Sequence, residues 1–105
     1  MNEKRLAHLS QMLEADPDDP FLRYAMALEH LNGGDFEGAC SRFKELAEAR
    51  PDYVPTYYQY AMALVQMGDL ETAVPVLEKG IKVAYAAGEI RTVNELEMLL
   101  EDLED

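Results

Sequence analysis

Identical residues recur 34 positions apart along the middle of this chain, and this periodicity is the feature that most limits its fold. The stretch from Glu14 to Ala39 aligns without a gap on the stretch from Glu48 to Ala73. A fixed period of this size is the mark of a repeat protein, in which each unit buries its apolar face against the next. The identical pairs are Glu14/Glu48, Ala15/Ala49, Pro17/Pro51, Asp18/Asp52, Tyr24/Tyr58, Ala27/Ala61, Gly34/Gly68, Asp35/Asp69, Glu37/Glu71 and Ala39/Ala73.

A second match competes with this register. The string YAMAL occurs at Tyr24–Leu28 and again at Tyr60–Leu64, an offset of 36 positions. The Pro-Asp and Gly-Asp pairs on either side of it keep the offset of 34, so we interpret the string as a coincidence in alanine-rich helices.

Helical periodicity and helix-stop residues predict an all-α fold with six helices joined by short loops, which makes successive helices antiparallel neighbours. Asn2, Asp18 or Asp19, Asp35 and Asp69 are the expected N-caps, and Gly34, Gly68 and Gly88 end helices. Pro75 predicts a kink or a delayed start in the fifth helix. Capping residues included, the predicted helices cover residues 2–15, 20–31, 35–49, 55–68, 69–87 and 89–103.

Charge and composition narrow the possible partners. The 105 residues carry 21 acidic and nine basic side chains, a net charge of −12, which argues against nucleic acid and against anionic membranes. No apolar run approaches membrane-spanning length, and the first residues lack the apolar core of a signal peptide. Cys40 is the single cysteine, so no internal disulfide is possible. These features favour a cytoplasmic protein.

No catalytic constellation is visible in the sequence, and we expect no enzyme activity, metal or cofactor. His8 and His30 are far apart, and neither belongs to a metal-binding HExxH motif. Cys40 is interpreted as a packed structural thiol. The Gly33-Gly34-Asp35 segment ends a helix and lacks the lysine of a phosphate-binding loop.

The repeat resembles the tetratricopeptide repeat, a 34-residue helix–turn–helix unit. Small residues stand where that family needs close helix contacts, large apolar residues follow one turn later, and Gly-Asp pairs match its turn. Arg23, in place of an aromatic residue, and Gly80, in place of alanine, depart from the family pattern. The matching residues are Ala27, Ala61, Gly34-Asp35, Gly68-Asp69, Ala39, Ala73, Phe43, Leu77 and Pro51.

The resemblance implies a single domain built as an α–α superhelix of antiparallel helix pairs. Residues 20–53 and 54–87 form the two repeats. We expect residues 2–19 to supply an N-terminal half-repeat helix and residues 89–103 a C-terminal capping helix.

The family also implies a binding surface, because the first helices of successive units line a groove that holds protein segments. The candidate lining residues on this chain are Phe21, Tyr24, Leu28, Asn32, Pro55, Tyr58, Gln59, Met62 and Gln66, with Ala25, Leu31 and Val65 beside them. Family members that clamp a terminal carboxylate use lysine and asparagine in this groove. Tyr24, Leu28 and Gln59 hold those places here, so we expect no carboxylate clamp and favour an apolar or basic segment.

Two functional hypotheses remain open. The first is a protein-binding adaptor or scaffold, working through the groove. The second is a self-associating assembly subunit, a homo-oligomer that uses the apolar groove or the terminal helices.

Overall fold

The computed structural model describes residues 2–104, and this part of the chain folds into six α-helices with no β-strand. The prediction of an all-α fold is therefore confirmed. The molecule is elongated, with extents of 40 × 29 × 20 Å. The helices are α1 (Glu3–Ala15), α2 (Pro20–Asn32), α3 (Phe36–Ala49), α4 (Pro55–Gln66), α5 (Leu70–Ala86) and α6 (Ile90–Glu104).

Side-chain oxygens cap four of the helix starts. The Asn2 side chain accepts a hydrogen bond from the Arg5 amide at 3.0 Å, and Asp19 accepts from the Phe21 amide at 2.8 Å. Asp35 and Asp69 cap α3 and α5 in the same way. Each cap satisfies amides that have no partner inside the helix, which is why the predicted starts agree with the structure.

Three of the turns between helices share one geometry. Gly34, Gly68 and Gly88 have φ angles of +86°, +75° and +75°, a region where a side chain would be strained. The amide that follows each glycine donates to a carbonyl inside the preceding helix, at 2.9 Å in all three turns. This arrangement ends the helix sharply and sends the next one back along it.

Fully buried alanines allow the helices to pack closely. Ala27, Ala39, Ala61 and Ala73 have no exposed surface, as the repeat pattern predicts. The main packing joins each helix to its neighbours in sequence, with an additional contact between α2 and α4. Successive antiparallel pairs therefore stack into the superhelix that the sequence predicts.

The buried side chains form three clusters. The first core cluster joins α2, α3, α4 and α5, the second joins α4, α5 and α6, and the third joins α1 to α2. Their buried members are Ala27, Ala39, Phe43, Tyr60, Ala63, Leu64 and Ala73 in the first; Val54, Tyr57, Ala61, Leu77, Ala84, Val93 and Leu96 in the second; and Leu9, Leu22 and Met26 in the third.

Pro75 does not delay the fifth helix. Helix α5 begins at Leu70, directly after its cap, and continues without a break to Ala86. Proline removes one amide donor, and near a helix start this leaves a single carbonyl without its usual partner.

Candidate functional site

A cleft of about 360 Å³ lies where α2, α4 and α6 approach one another. Tyr24 comes from α2 and Gln59 from the first half of α4, while α6 and the residue before it supply the third side. We call this space the central cleft. Its lining residues are Tyr24, Val54, Pro55, Tyr58, Gln59, Glu89, Thr92 and Glu95.

The ring of Tyr24 is held in position by two other aromatic side chains. Its centroid lies 6.1 Å from that of Phe43 and 6.1 Å from that of Tyr53, the latter in an edge-on arrangement. Burial raises the pKa of the Tyr24 hydroxyl, and the neighbouring Tyr53 adds to the increase. A tyrosine hydroxyl is protonated at neutral pH and can both donate and accept hydrogen bonds.

Helix α4 presents Tyr58 and Gln59 from its first turns. Pro55 starts this helix, and Val54 before it is buried in the second core cluster, which fixes where the helix begins. Tyr58 packs against the same cluster with part of its surface left open, and Gln59 is half-buried. The cleft therefore combines an apolar ring with an amide that can both donate and accept hydrogen bonds.

The third side of the central cleft is acidic. Glu89 is exposed just before α6, and the Glu95 side chain is 56% exposed. Arg91 lies outside the cleft, and its Nε is 3.8 Å from Glu95 Oε1. Within the described residues, the lining holds no lysine or arginine. The cleft therefore has an excess of negative charge.

Four of the nine predicted groove residues line this cleft together, namely Tyr24, Pro55, Tyr58 and Gln59. The other five lie elsewhere on the same two helices. Phe21 is 63% exposed, Leu28 and Met62 are half-buried, and Asn32 and Gln66 are exposed.

Sequence reasoning missed the contribution of α6. The repeat pattern does not select Glu89, Thr92 and Glu95, because none of them is identical to the residue at the corresponding position in α4. A signal was nevertheless available. Counting 34 residues on from Pro55 and Tyr58 leads to Glu89 and Thr92, which stand opposite them in the cleft.

The remaining reactive side chains are used in packing and capping. Asp35 Oδ2 lies 2.8 Å from His30 Nδ1, and Oδ1 accepts from the Gly38 amide at 3.0 Å. Burial, with help from the charge of Asp69, raises the pKa of the half-buried Cys40 thiol, which makes it a poor nucleophile. Among residues 2–104 there is no group of three or more potential ligands that could hold a metal ion. Nor does any helix in that range have the length and apolar character to cross a membrane.

Comparison with known proteins gives consistent matches. A family model of the tetratricopeptide repeat matches residues 30–91. A TPR repeat-containing protein of Pseudomonas aeruginosa is 27% identical over 96 residues, which are 91% of this chain and 91% of that protein. A tetratricopeptide repeat domain protein from Salinibacter ruber has a similar solution structure. It is 37% identical with a TM-score of 0.79, covering 85% of this chain and 90% of that chain.

The TPR2B domain of yeast Sti1 has a closely similar backbone. The TM-score is 0.87 over 94% of this chain and 79% of that chain, at 16% identity. At this level of identity the likeness concerns the fold alone.

Proposed function

Because the chain belongs to the tetratricopeptide-repeat family, whose fold generally mediates contacts between proteins, we propose that it is a non-enzymatic adaptor. In this proposal a segment of another protein binds in the central cleft. The observation that carries the proposal is the convergence of Tyr24, Tyr58 and Gln59 in an open cleft formed by three helices.

The chemistry of the cleft suits an extended protein segment. Tyrosine rings supply contact area at a small cost in side-chain entropy, and they are enriched where interfaces concentrate their binding energy. The Tyr24 hydroxyl and the Gln59 amide can hydrogen-bond to a peptide backbone. In the yeast Sti1 neighbour, a domain of the same fold is in complex with pHsp70.

A single substitution in the cleft tests this proposal. Tyr58→Ala removes the half-buried ring from the cleft and leaves the buried members of the second core cluster in place. We expect partner proteins captured from a lysate by the wild type to be reduced by about tenfold or more, the usual effect of losing an interface anchor. Quantitative mass spectrometry measures the change, and circular dichroism verifies the fold.

Tyr85→Ala is the matched control, because Tyr85 is 71% exposed on α5 and lies outside the central cleft. It should leave capture unchanged. Capture that survives Tyr58→Ala would contradict the adaptor proposal.

One observation favours self-association as a second candidate function. The outer side of the α5–α6 pair carries a largely apolar cleft of about 510 Å³, in which Tyr85 and Ile90 are 71% and 55% exposed. A second copy could cover this surface. The cleft is lined by Ile81, Lys82, Tyr85, Ala86, Ile90, Val93, Asn94 and Glu97.

Light scattering over a range of protein concentrations distinguishes the two candidates. An assembly subunit gives a molar mass that rises with concentration, and Tyr85→Ala returns it to that of a monomer. An adaptor gives the monomer mass throughout, with Tyr58→Ala affecting capture alone.

A further inference from the structure

Negative charge on the central cleft is concentrated on one side. Glu89 and Glu95 stand on the α6 side, opposite Pro55, Tyr58 and Gln59 of α4. The whole chain has a net charge of −12, so its long-range field also favours a cationic ligand. Since no basic side chain lines the cleft within the described residues, these carboxylates are not neutralised from inside.

The opposite side of the cleft is aromatic. Phe43 and Tyr53 hold the ring of Tyr24, and the second core cluster supports the ring of Tyr58. The face of an aromatic ring attracts a cation through its quadrupole, most strongly when water is partly excluded. Aromatic rings and carboxylates in one cleft therefore favour the same kind of ligand group.

We propose that the central cleft binds a lysine or arginine side chain of the partner segment, between the rings of Tyr24 and Tyr58 and the carboxylates of Glu89 and Glu95. This inference rests on the proposed adaptor function. A volume of about 360 Å³ is at the small end of the range for ligand sites, so it suits one long side chain with its flanking backbone.

Arg91 supports this assignment because it shows that the Glu95 carboxylate can pair with a cationic side chain. Its guanidinium already lies 3.8 Å from Glu95, and the side chain is 95% exposed, so it can move away without disturbing the core. A cation from a partner can take its place at Glu95.

The experiment uses short acetylated peptides that alternate serine with lysine, leucine or glutamate. Fluorescence anisotropy of the labelled peptides measures their affinities for the full chain. Changes in the NMR chemical shifts of the protein's backbone amides locate the binding site. We expect the lysine peptide to bind most tightly and to shift the amides of Tyr58, Thr92 and Glu95.

Two double variants that each remove two negative charges test where the site lies. The double variant Glu89→Gln with Glu95→Gln should weaken binding of the lysine peptide by about three- to tenfold, since exposed ion pairs contribute modestly. The control is Glu78→Gln with Glu101→Gln, which removes two exposed carboxylates outside the cleft and should have less than a twofold effect. Arg91→Gln should strengthen binding, because it frees Glu95.

Three results would overturn the inference. The first is an equal loss of affinity in the control double variant, which would indicate attraction by net charge alone. The second is displacement of the labelled lysine peptide by spermidine as effectively as by the unlabelled lysine peptide, which would also indicate attraction by net charge alone. The third is tighter binding of the leucine peptide in the cleft, which would leave the adaptor function intact and remove its cationic specificity. Failure of the adaptor function itself is detected separately, by capture that survives Tyr58→Ala.

Discussion

Gly80 sets the distance between α4 and α5 at the scale of a single residue. A Cβ atom built on Gly80 would lie 2.6 Å from the Cβ and 2.9 Å from the Cγ of Tyr57. Gly80→Ala adds helix propensity of about 1 kcal/mol, but its methyl group would overlap Tyr57 Cβ, an atom fixed to the backbone of α4, so the two helices must move apart. Because the overlap is severe, the overpacking cost should be about 3 kcal/mol, so we expect a net loss of about 2 kcal/mol in the free energy of unfolding, measured with urea.

Lys79→Ala is the control for this substitution, since Lys79 is exposed on the same helix and next to Gly80. Its effect should stay within about 0.5 kcal/mol. Equal or higher stability of Gly80→Ala would mean that α4 and α5 separate at little cost.

Asp35 makes the stability of the turn before α3 depend on pH. The hydrogen bond from His30, followed by the bond from the Gly38 amide, lowers the pKa of Asp35 from its usual value. A lowered folded-state pKa means that the ionised carboxylate stabilises the fold above the unfolded pKa of about 4, and that this stabilisation is lost as the pH falls. The difference in unfolding free energy between wild type and Asp35→Asn should be present at about pH 5–6 and shrink below about pH 4.

Asp69→Asn provides a comparison for the pH series. Asp69 caps α5 through the Thr72 amide at 3.1 Å, but its side chain has no imidazole contact among residues 2–104. Urea unfolding across the same pH range compares a helix cap that contacts an imidazole with one that does not. Identical profiles for the two variants would remove His30 from the explanation.

At the scale of a helix, α1 is attached to the molecule through α2. Arg5 Nη1 lies 3.2 Å from Glu29 Oε2, and the Glu29 side chain is only 10% exposed. Arg5→Ala leaves that carboxylate without its partner, so α1 should loosen by about 0.5–1 kcal/mol. Hydrogen exchange should accelerate in residues 3–15 and stay unchanged in α4 and α5.

Lys4→Ala is the control for α1, because Lys4 is exposed beside Arg5 and has no salt bridge in the described part of the chain. Exchange that rises equally in both variants would assign the effect to the general charge of α1 and not to the Arg5–Glu29 pair.

The limits of the helices could be predicted from the sequence because the signals that set them are local. Asp19, Asp35 and Asp69 cap helices by contacts within three residues, and glycines at positive φ end them. The packing of α6 on α5, which brings it to the central cleft, is a tertiary result, and the sequence of α6 lacks the small-residue pattern of the repeats. Its share of the cleft therefore could not be predicted in the same way.

Only part of the candidate site followed from the repeat register. Tyr24 and Tyr58 recur at the same position of each unit, and the structure places both in the central cleft. The helical pattern also selects Phe21 and Met62, but it cannot distinguish a residue beside a cleft from one on the open surface of the same helix. That distinction depends on how far apart the neighbouring helices stand.

At the scale of the whole molecule, the two terminal helices contribute unequally. Helix α6 supplies Val93 and Leu96 to the second core cluster, whereas α1 supplies only Leu9 to the small third cluster as a buried residue. Truncation after Gly88 should abolish cooperative thermal unfolding, because Tyr57 and Leu77 lose the helix that covers them. Deletion of residues 1–19 should lower the melting temperature and leave a folded core.

Circular dichroism melts and amide spectra measure both truncations. Residual helix without a cooperative transition is the expected state once α6 is removed. A truncated chain that melts at the wild-type temperature would show that α6 is an attachment and not part of the core.

The packing of each helix against its neighbours in sequence has a consequence for how such a protein changes length. A further helix pair inserted between α3 and α4 would meet surfaces of the kind already present there, and the two ends of the molecule would keep their own contacts. Duplication of a short stretch of the gene therefore lengthens the protein in whole steps. Each step adds one helix to the side that carries Tyr24 and Tyr58, and so lengthens that face of the molecule by the width of one repeat.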